Sequence, residues 1–233
     1  MALPQFILTL SCPDRRGIVA AVSRFLFDNG CNITESAQFG DPLKRRFFLR
    51  TAFQAEEVSR LEDLRDAFRP LVAEFQMQAE IHDCAVKTRA LILVSRMGHC
   101  LADLLYRYRI GAIGIEIPLV VSNHTDLADL VAAHAIAFQH MPVAAPDGLG
   151  DGQALLSLVE AERIDLIVLA RYMQILPPRL CAAMRGRIIN IHHSFLPSFR
   201  GARPYQQAHA RGVKLIGATA HYVTDELDEG PII

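Results

Sequence analysis

Hydrophobic positions in the first third of the chain switch between two periods. Phe6 to Leu10 is an apolar run of strand length, broken by the turn Cys12-Pro13-Asp14. Ile18, Val22, Phe25 and Leu26 then recur at helical spacing, on a stripe that Asn29-Gly30 ends with a suitable cap. Cys31 to Phe39 and Arg45 to Phe53 read as two strands around the turn Gly40-Asp41-Pro42. Val58, Leu61, Leu64 and Phe68 return to helical spacing, and Phe75 to Ile81 alternates as a half-buried strand does. The order β-α-β-β-α-β predicts a ferredoxin-like α+β domain over residues 1–84.

After a short linker at residues 85–89 the rhythm changes. Apolar runs at Ala90–Val94, Ile115–Val121, Leu166–Ala170, Ile188–Ile191 and Leu215–Val223 alternate with helical stretches at Cys100–Tyr108, Asp126–Ala135 and Gly152–Glu162. Such alternation predicts a Rossmann-like, mostly parallel α/β sheet covered on both faces, over residues 90–233. Gly148-Leu-Gly-Asp-Gly152 reads as a loop. At Gly230-Pro-Ile-Ile233 an apolar strand is starting. A core strand needs a neighbour and a cover, so this domain is expected to be incomplete at its carboxyl end.

Composition narrows the functional classes. With 233 residues and 51% hydrophobic content, the chain can bury one large core or two modest ones. A formal net charge of −1 and a pI near 6.7 offer no basic surface for nucleic acid or an anionic membrane. No apolar run is long enough to span a bilayer, and Met-Ala-Leu-Pro-Gln is no signal peptide, so a cytoplasmic location is expected. Cys12, Cys31, Cys84, Cys100 and Cys181 are scattered without a CxxC pair, which points to reduced thiols rather than disulfides or a zinc site.

Candidate chemistry is concentrated in two segments, Asn190-Ile-His192-His193-Ser194-Phe195-Leu196-Pro197 and Gly217 to Pro231 with Asp228. Asn190 and His192 are two residues apart, so on a strand they share a face. They follow the apolar run Arg187-Ile-Ile, hence the carboxyl end of a parallel strand, where ligand crevices of open α/β sheets lie. Asp228 arrives on a separate loop after another strand, and Pro197 and Pro204 stiffen the loop between. An amide N–H can hold a developing oxyanion, an imidazole can move a proton, and a carboxylate can orient the imidazole or a water. That trio suits attack on a small carbonyl. An Asn-x-His tripeptide alone reads as a turn cap beside a core histidine.

Together the two segments resemble the signature of the 10-formyltetrahydrofolate-dependent formyltransferases. The resemblance implies Asn190 as donor to the formyl oxygen, His192 as the catalytic imidazole and Asp228 as the carboxylate that positions water and polarises the imidazole. It implies substrate contacts at Met173, Gln174 and Leu176, in the pterin-binding segment Tyr172 to Pro177, and at Val223 and Thr224. Gln174 stands where many members carry arginine, and His193 where transferases acting on glycinamide ribonucleotide usually carry proline. His221 matches a motif histidine, with a structural role on the strand face as the alternative. Asp225 and Glu226 read as a solvated turn.

Two features separate the branches of this group. The loop Ser95 to Leu104 holds a single glycine among bulky neighbours, so the Gly-rich cradle for a ribonucleotide phosphate is missing. The stretch from Cys12-Pro-Asp-Arg-Arg-Gly17 to Cys31-Asn32-Ile resembles the opening of an ACT domain, a regulatory module that often binds amino acids at a dimer interface. An ACT-type domain ahead of a formyltransferase-like domain is similar to the hydrolytic branch, the formyltetrahydrofolate deformylases. That resemblance implies 10-formyltetrahydrofolate as substrate, water as nucleophile, tetrahydrofolate and formate as products, and neither metal nor prosthetic group. The turn Asp14 to Gly17 opens a helix whose free N–H groups suit an amino-acid carboxylate, with Asn32 on the neighbouring strand. Glycine and methionine, which draw on one-carbon units, are the expected effectors, and the edge strands of so small a sheet predict a homo-oligomer. The alternatives are transfer to an amine such as glycinamide ribonucleotide, or a catalytically inactive amino-acid sensor.

Overall fold

A computed structural model describes residues 3–55, 60–142, 150–201 and 203–233; Val58 and residues 148–149 of the glycine-rich loop lie outside them. Two compact units, Met1–Val86 and Lys87–Ile233, divide the chain inside the 85–89 linker.

The first unit holds β1 (Gln5–Pro13), α1 (Ile18–Asp28), β2 (Cys31–Asp41), β3 (Arg46–Ala55), α2 (Leu61–Phe75) and β4 (Gln78–Asp83). Its antiparallel sheet runs β2-β3-β1-β4, the ferredoxin-like order. Phe6, Leu8, Leu10 and Cys12 alternate inward to meet Ile18, Val22, Phe25 and Leu26 of α1 and Leu64 and Phe68 of α2 in one core. Three boundaries differ from those expected. Cys12 continues the buried alternation, so β1 runs to Pro13 and the break begins at Asp14. The β2–β3 turn lies at Pro42–Arg45, because Asp41 Oδ1 accepts the N–H groups of Leu43 and Lys44, each at 3.0 Å. Phe75 belongs to α2 rather than to a strand. It extends the buried stripe of Leu64 and Phe68 by helical steps, and Gln76 ends the helix at φ 52.

The second unit holds β5 (Thr88–Val94), α3 (His99–Arg109), β6 (Ile115–Ser122), α4 (Ala128–Ala132), β7 (Ala137–His140), α5 (Gln153–Ala161), β8 (Leu166–Ala170), α6 (Pro178–Ala183), β9 (Ile188–His192), α7 (Pro204–Ala210) and β10 (Thr219–Tyr222). The sheet order is β10-β9-β8-β5-β6-β7. All neighbours are parallel except β10, which runs antiparallel to β9. Successive residues of β5 serve opposite faces. Leu91 and Leu93 join Leu155, Val159 and Leu180 of α5 and α6, while Ile92 and Val94 join Leu101, Leu105 and Val131 of α3 and α4. Helices therefore cover both sides, as a buried parallel sheet requires.

The expected strand Leu215–Val223 shrinks to Thr219–Tyr222. Leu215 and Ile216 are exposed despite their apolar side chains. The expected helix at Asp126–Ala135 keeps only five residues, and β7 is too short to show a period in sequence. Among the described residues no helix is long and apolar enough to cross a membrane.

Leu93 is fully buried at the centre of the sheet. Leu93→Ala is expected to cost about 2–5 kcal/mol of stability, from lost burial plus the cavity left behind. Urea unfolding followed by circular dichroism checks this; a loss below about 1 kcal/mol would place Leu93 outside a rigid core.

Candidate active site

The strand order reverses between β5 and β8, and in open α/β sheets the ligand crevice opens at such a switch. Ser95 follows β5 and Arg171 follows β8. The Ser95 N–H donates to the Arg171 carbonyl at 3.3 Å. Its hydroxyl donates to Asn123 Oδ1 at 2.8 Å and accepts the Met173 N–H at 3.0 Å. These bonds pin the segment that leaves β8, whose first residue, Arg171, takes the left-handed backbone with φ 62.

A cavity of about 230 Å³ opens beside this segment, with Met173 and Gln174 on its wall and Asn190, His192 and Asp228 around its floor. An adjoining cleft of about 70 Å³ shares Gln174, Asn190 and Asp228 and adds Leu176, Val223 and Thr224. The eight residues that the formyltransferase resemblance singles out thus line two connected lobes of one crevice.

Asn190 and His192 sit on β9 with His192 buried and the intervening Ile191 turned out to 44% exposure. Asp228 is buried on the loop beyond β10, while Asp225 and Glu226 of the same loop are exposed, as a solvated turn should be. Its φ of 58 is one an aspartate tolerates better than most side chains, and it turns the carboxylate inward. Asp228 Oδ2 accepts the Gly201 N–H at 2.8 Å and lies 3.4 Å from His192 Nδ1. His192 Nε2 lies 2.7 Å from the Phe199 carbonyl, an acceptor, so that nitrogen carries a proton. The imidazole is thereby clamped between two oxygens.

His221 acts on the other partner. Its Nδ1 donates to the Tyr222 carbonyl at 3.0 Å, which leaves Nε2 to accept from Asn190 Nδ2 at 3.1 Å. The same Nε2 lies 3.7 Å from Asp228 Oδ1. This fixes which way the Asn190 amide points and leaves its second N–H for a substrate oxygen. His221, only 2% exposed, sits on the strand face with its ring against the Asn190 amide.

Sequence reasoning missed the Phe199 carbonyl and the Gly201 N–H, since backbone groups carry no residue signature. It also missed Arg171 on the wall of the larger lobe, while Tyr172, at the start of the expected pterin-binding segment, is buried there and burial pushes its phenol up to about 12. Among the described residues no cluster of three His, Cys, Asp or Glu side chains forms a metal site.

The effector residues fare differently. Asp14 and Gly17 follow the β1 end where Pro13 faces Arg46, and Gly17, at φ 94, has open space where a Cβ would stand. Asn32 faces Gln54, which in turn faces Gln5 at the other end of β1. Within one copy the three do not meet. The helix between them carries the chain from one end of the sheet to the other, so adjacency of α1 and β2 in sequence misleads.

The second unit's switch-point crevice, with an amide, an imidazole and a carboxylate around its floor, is of the formyl transferase class. Residues 88–233 match the formyl transferase family, and residues 6–69 match the ACT domain family. The formyltetrahydrofolate deformylase of Corynebacterium sp. (strain P-1) is 47% identical over 98% of this chain and 80% of its own length. A crystal structure of a formyltetrahydrofolate deformylase from Pseudomonas syringae pv. tomato superposes with a TM-score of 0.94 at 48% identity, over 100% of this chain and 78% of that one. The glycinamide ribonucleotide transformylase 1 of Symbiobacterium toebii is more distant. It has a TM-score of 0.60 and 35% identity, over 63% of this chain and 71% of its own. The chain belongs to the formyltetrahydrofolate deformylase family.

Proposed function

We propose that this chain hydrolyses 10-formyltetrahydrofolate to tetrahydrofolate and formate with side chains and backbone groups alone. The observation that carries the reading is the clamped pair His192–Asp228 beside an Asn190 that lines the same crevice with its amide held by His221. Water bound to Asp228 adds to the formyl carbon as the carboxylate takes its proton. Asn190 holds the oxyanion of the tetrahedral intermediate. The C–N bond then breaks with its electron pair on N10, which receives the proton that Asp228 took from water while the adjacent His192 imidazole steadies that carboxylate, and the acid product leaves as formate. Met173, Gln174, Leu176, Val223 and Thr224 hold the flat pterin with their apolar surface and backbone edges.

Water as sole acceptor follows from the loop between β5 and α3, where Met97 and its neighbours replace a glycine-rich phosphate cradle. Adding glycinamide ribonucleotide is therefore expected neither to change the rate of substrate loss nor to give a formylated product. Detection of formyl-glycinamide ribonucleotide by mass spectrometry would assign the chain to transfer instead.

For the first unit, we read the Asp14–Gly17 turn as the place where an amino acid such as glycine or methionine is received. The exposed edge strand β2 is read as the side that pairs with a second copy. All five cysteines stand free, in keeping with a cytoplasmic enzyme.

A further inference from the structure

The proton-transfer chemistry leaves one cation of the crevice without a task. Arg171 lines the larger lobe together with Asn190, His192 and Asp228. Among the described residues it forms no ion pair with any carboxylate, and its Nε is buried without a hydrogen-bond partner. Its backbone holds the left-handed conformation, at φ 62, a strain for a non-glycine residue that clusters at ligand sites. Its Nη1 lies 2.6 Å from His193 Nδ1. A guanidinium can only donate, so Nδ1 accepts and the His193 proton sits on Nε2. Burial, followed by the charges of Arg171 and His192, pushes His193 below its ordinary value, against a smaller opposing pull from Asp228. The edge of the Tyr205 ring, 5.2 Å away, holds the imidazole from another side.

The lobe is thus offered a planar cation, held by a neutral imidazole, that no carboxylate among the described residues, Asp228 of the same lobe included, pairs with directly. A half-buried guanidinium with an unpaired N–H is costly unless an anion meets it, and its fork matches a carboxylate. The hydrolytic reaction makes a carboxylate in the lobe that Arg171 shares with Asn190 and Asp228. We propose that Arg171, oriented by His193, is a specificity-determining carboxylate site that receives the formate product. This inference rests on the deformylase reading. The same guanidinium charge disfavours a protonated amine, which adds to the preference for water.

Carboxylate could also come from the acidic tail of the folate, and the test separates the two sources. Turnover of 10-formyltetrahydrofolate by the full chain is measured against added sodium formate, with sodium chloride at equal ionic strength as control. Formate binding to the substrate-free protein is followed by calorimetry. Wild type is compared with Arg171→Met, Arg171→Lys and His193→Asn. Arg171→Met is expected to raise the inhibition and dissociation constants for formate at least ~10-fold, while KM for the folate moves less than ~3-fold. Arg171→Lys keeps the charge but loses the fork, and His193→Asn loses the orienting acceptor, so each is expected to weaken formate ~3-fold or more. These two also decide the matter if Arg171→Met fails to fold. Unchanged formate constants in the variants overturn the proposal, as does a raised KM with unchanged formate inhibition, which would assign Arg171 to the folate tail. If wild type binds formate through Arg171 but turns over no substrate, the deformylase reading fails and the carboxylate site stands.

Discussion

Asp228→Asn is expected to lower turnover of 10-formyltetrahydrofolate at least ~10²-fold with the fold intact, the range for removing a positioned acid–base group. The substitution is nearly isosteric, and asparagine tolerates the left-handed backbone that residue 228 adopts. Its amide oxygen can still accept the Gly201 N–H, now met at 2.8 Å. What it removes is the charge that faces His192 Nδ1 at 3.4 Å and the base proposed to take the proton from water. Asn190→Ala removes the proposed oxyanion donor and is expected to cost ~10²- to 10³-fold in turnover, about 3–4 kcal/mol. Steady-state rates, with thermal unfolding to confirm folding, check both. An Asp228→Asn variant with near wild-type turnover would take the carboxylate out of the chemistry.

Gly230→Ala should injure the same site from outside it. A Cβ at residue 230 would overlap the Tyr222 carbonyl oxygen, a backbone atom that cannot swing aside. That carbonyl accepts the His221 Nδ1–H, and the neighbouring Tyr222 N–H donates to the Pro231 carbonyl at 2.8 Å. Forcing the two segments apart breaks the chain of contacts from Tyr222 through His221 to Asn190. Overpacking of this kind is expected to cost about 1–3 kcal/mol or more of stability, and turnover is expected to fall with it. Gly114→Ala is the control, since open space surrounds that position and its backbone is ordinary. Equal thermal stability and activity in the two variants would show that the Gly230 approach does not support the site.

The parts of this site that sequence revealed are those with a period or a spacing. Ile188 to Ile191 reads as a buried strand because three β-branched isoleucines flank Asn190, and the two-residue step from Asn190 to His192 places both on one face. The formyltransferase resemblance singles out Asp228 over Asp225, and in the structure Asp228 is the buried acid of that loop while Asp225 and Glu226 are exposed. Groups without a side-chain signature stayed hidden. The Phe199 carbonyl and Gly201 N–H reach the site only through the loop that follows β9. Arg171 looks like any polar residue after a strand until its left-handed backbone and its bond to His193 are seen.

In the fold, the errors fall where local patterns compete. Phe75 fits both an alternating strand and the last turn of α2, and packing beside Leu64 and Phe68 decides for the helix. Leu215 and Ile216 look like a core strand, but β10 starts only at Thr219, where it finds β9 to pair with. Asn32 and Gly17 are close along the chain only through α1, whose length carries them to opposite ends of the sheet.

Whether water is the nucleophile can be read from the oxygen atoms of the product. The protein is incubated with 10-formyltetrahydrofolate in water enriched in oxygen-18, and formate is collected over the first turnovers and weighed by mass spectrometry. Expected is one heavy oxygen per formate, formed in equal amount with tetrahydrofolate, and a loss of both in Asp228→Asn. Formate without heavy oxygen, or tetrahydrofolate released without formate, would contradict hydrolysis at the Asn190, His192 and Asp228 crevice.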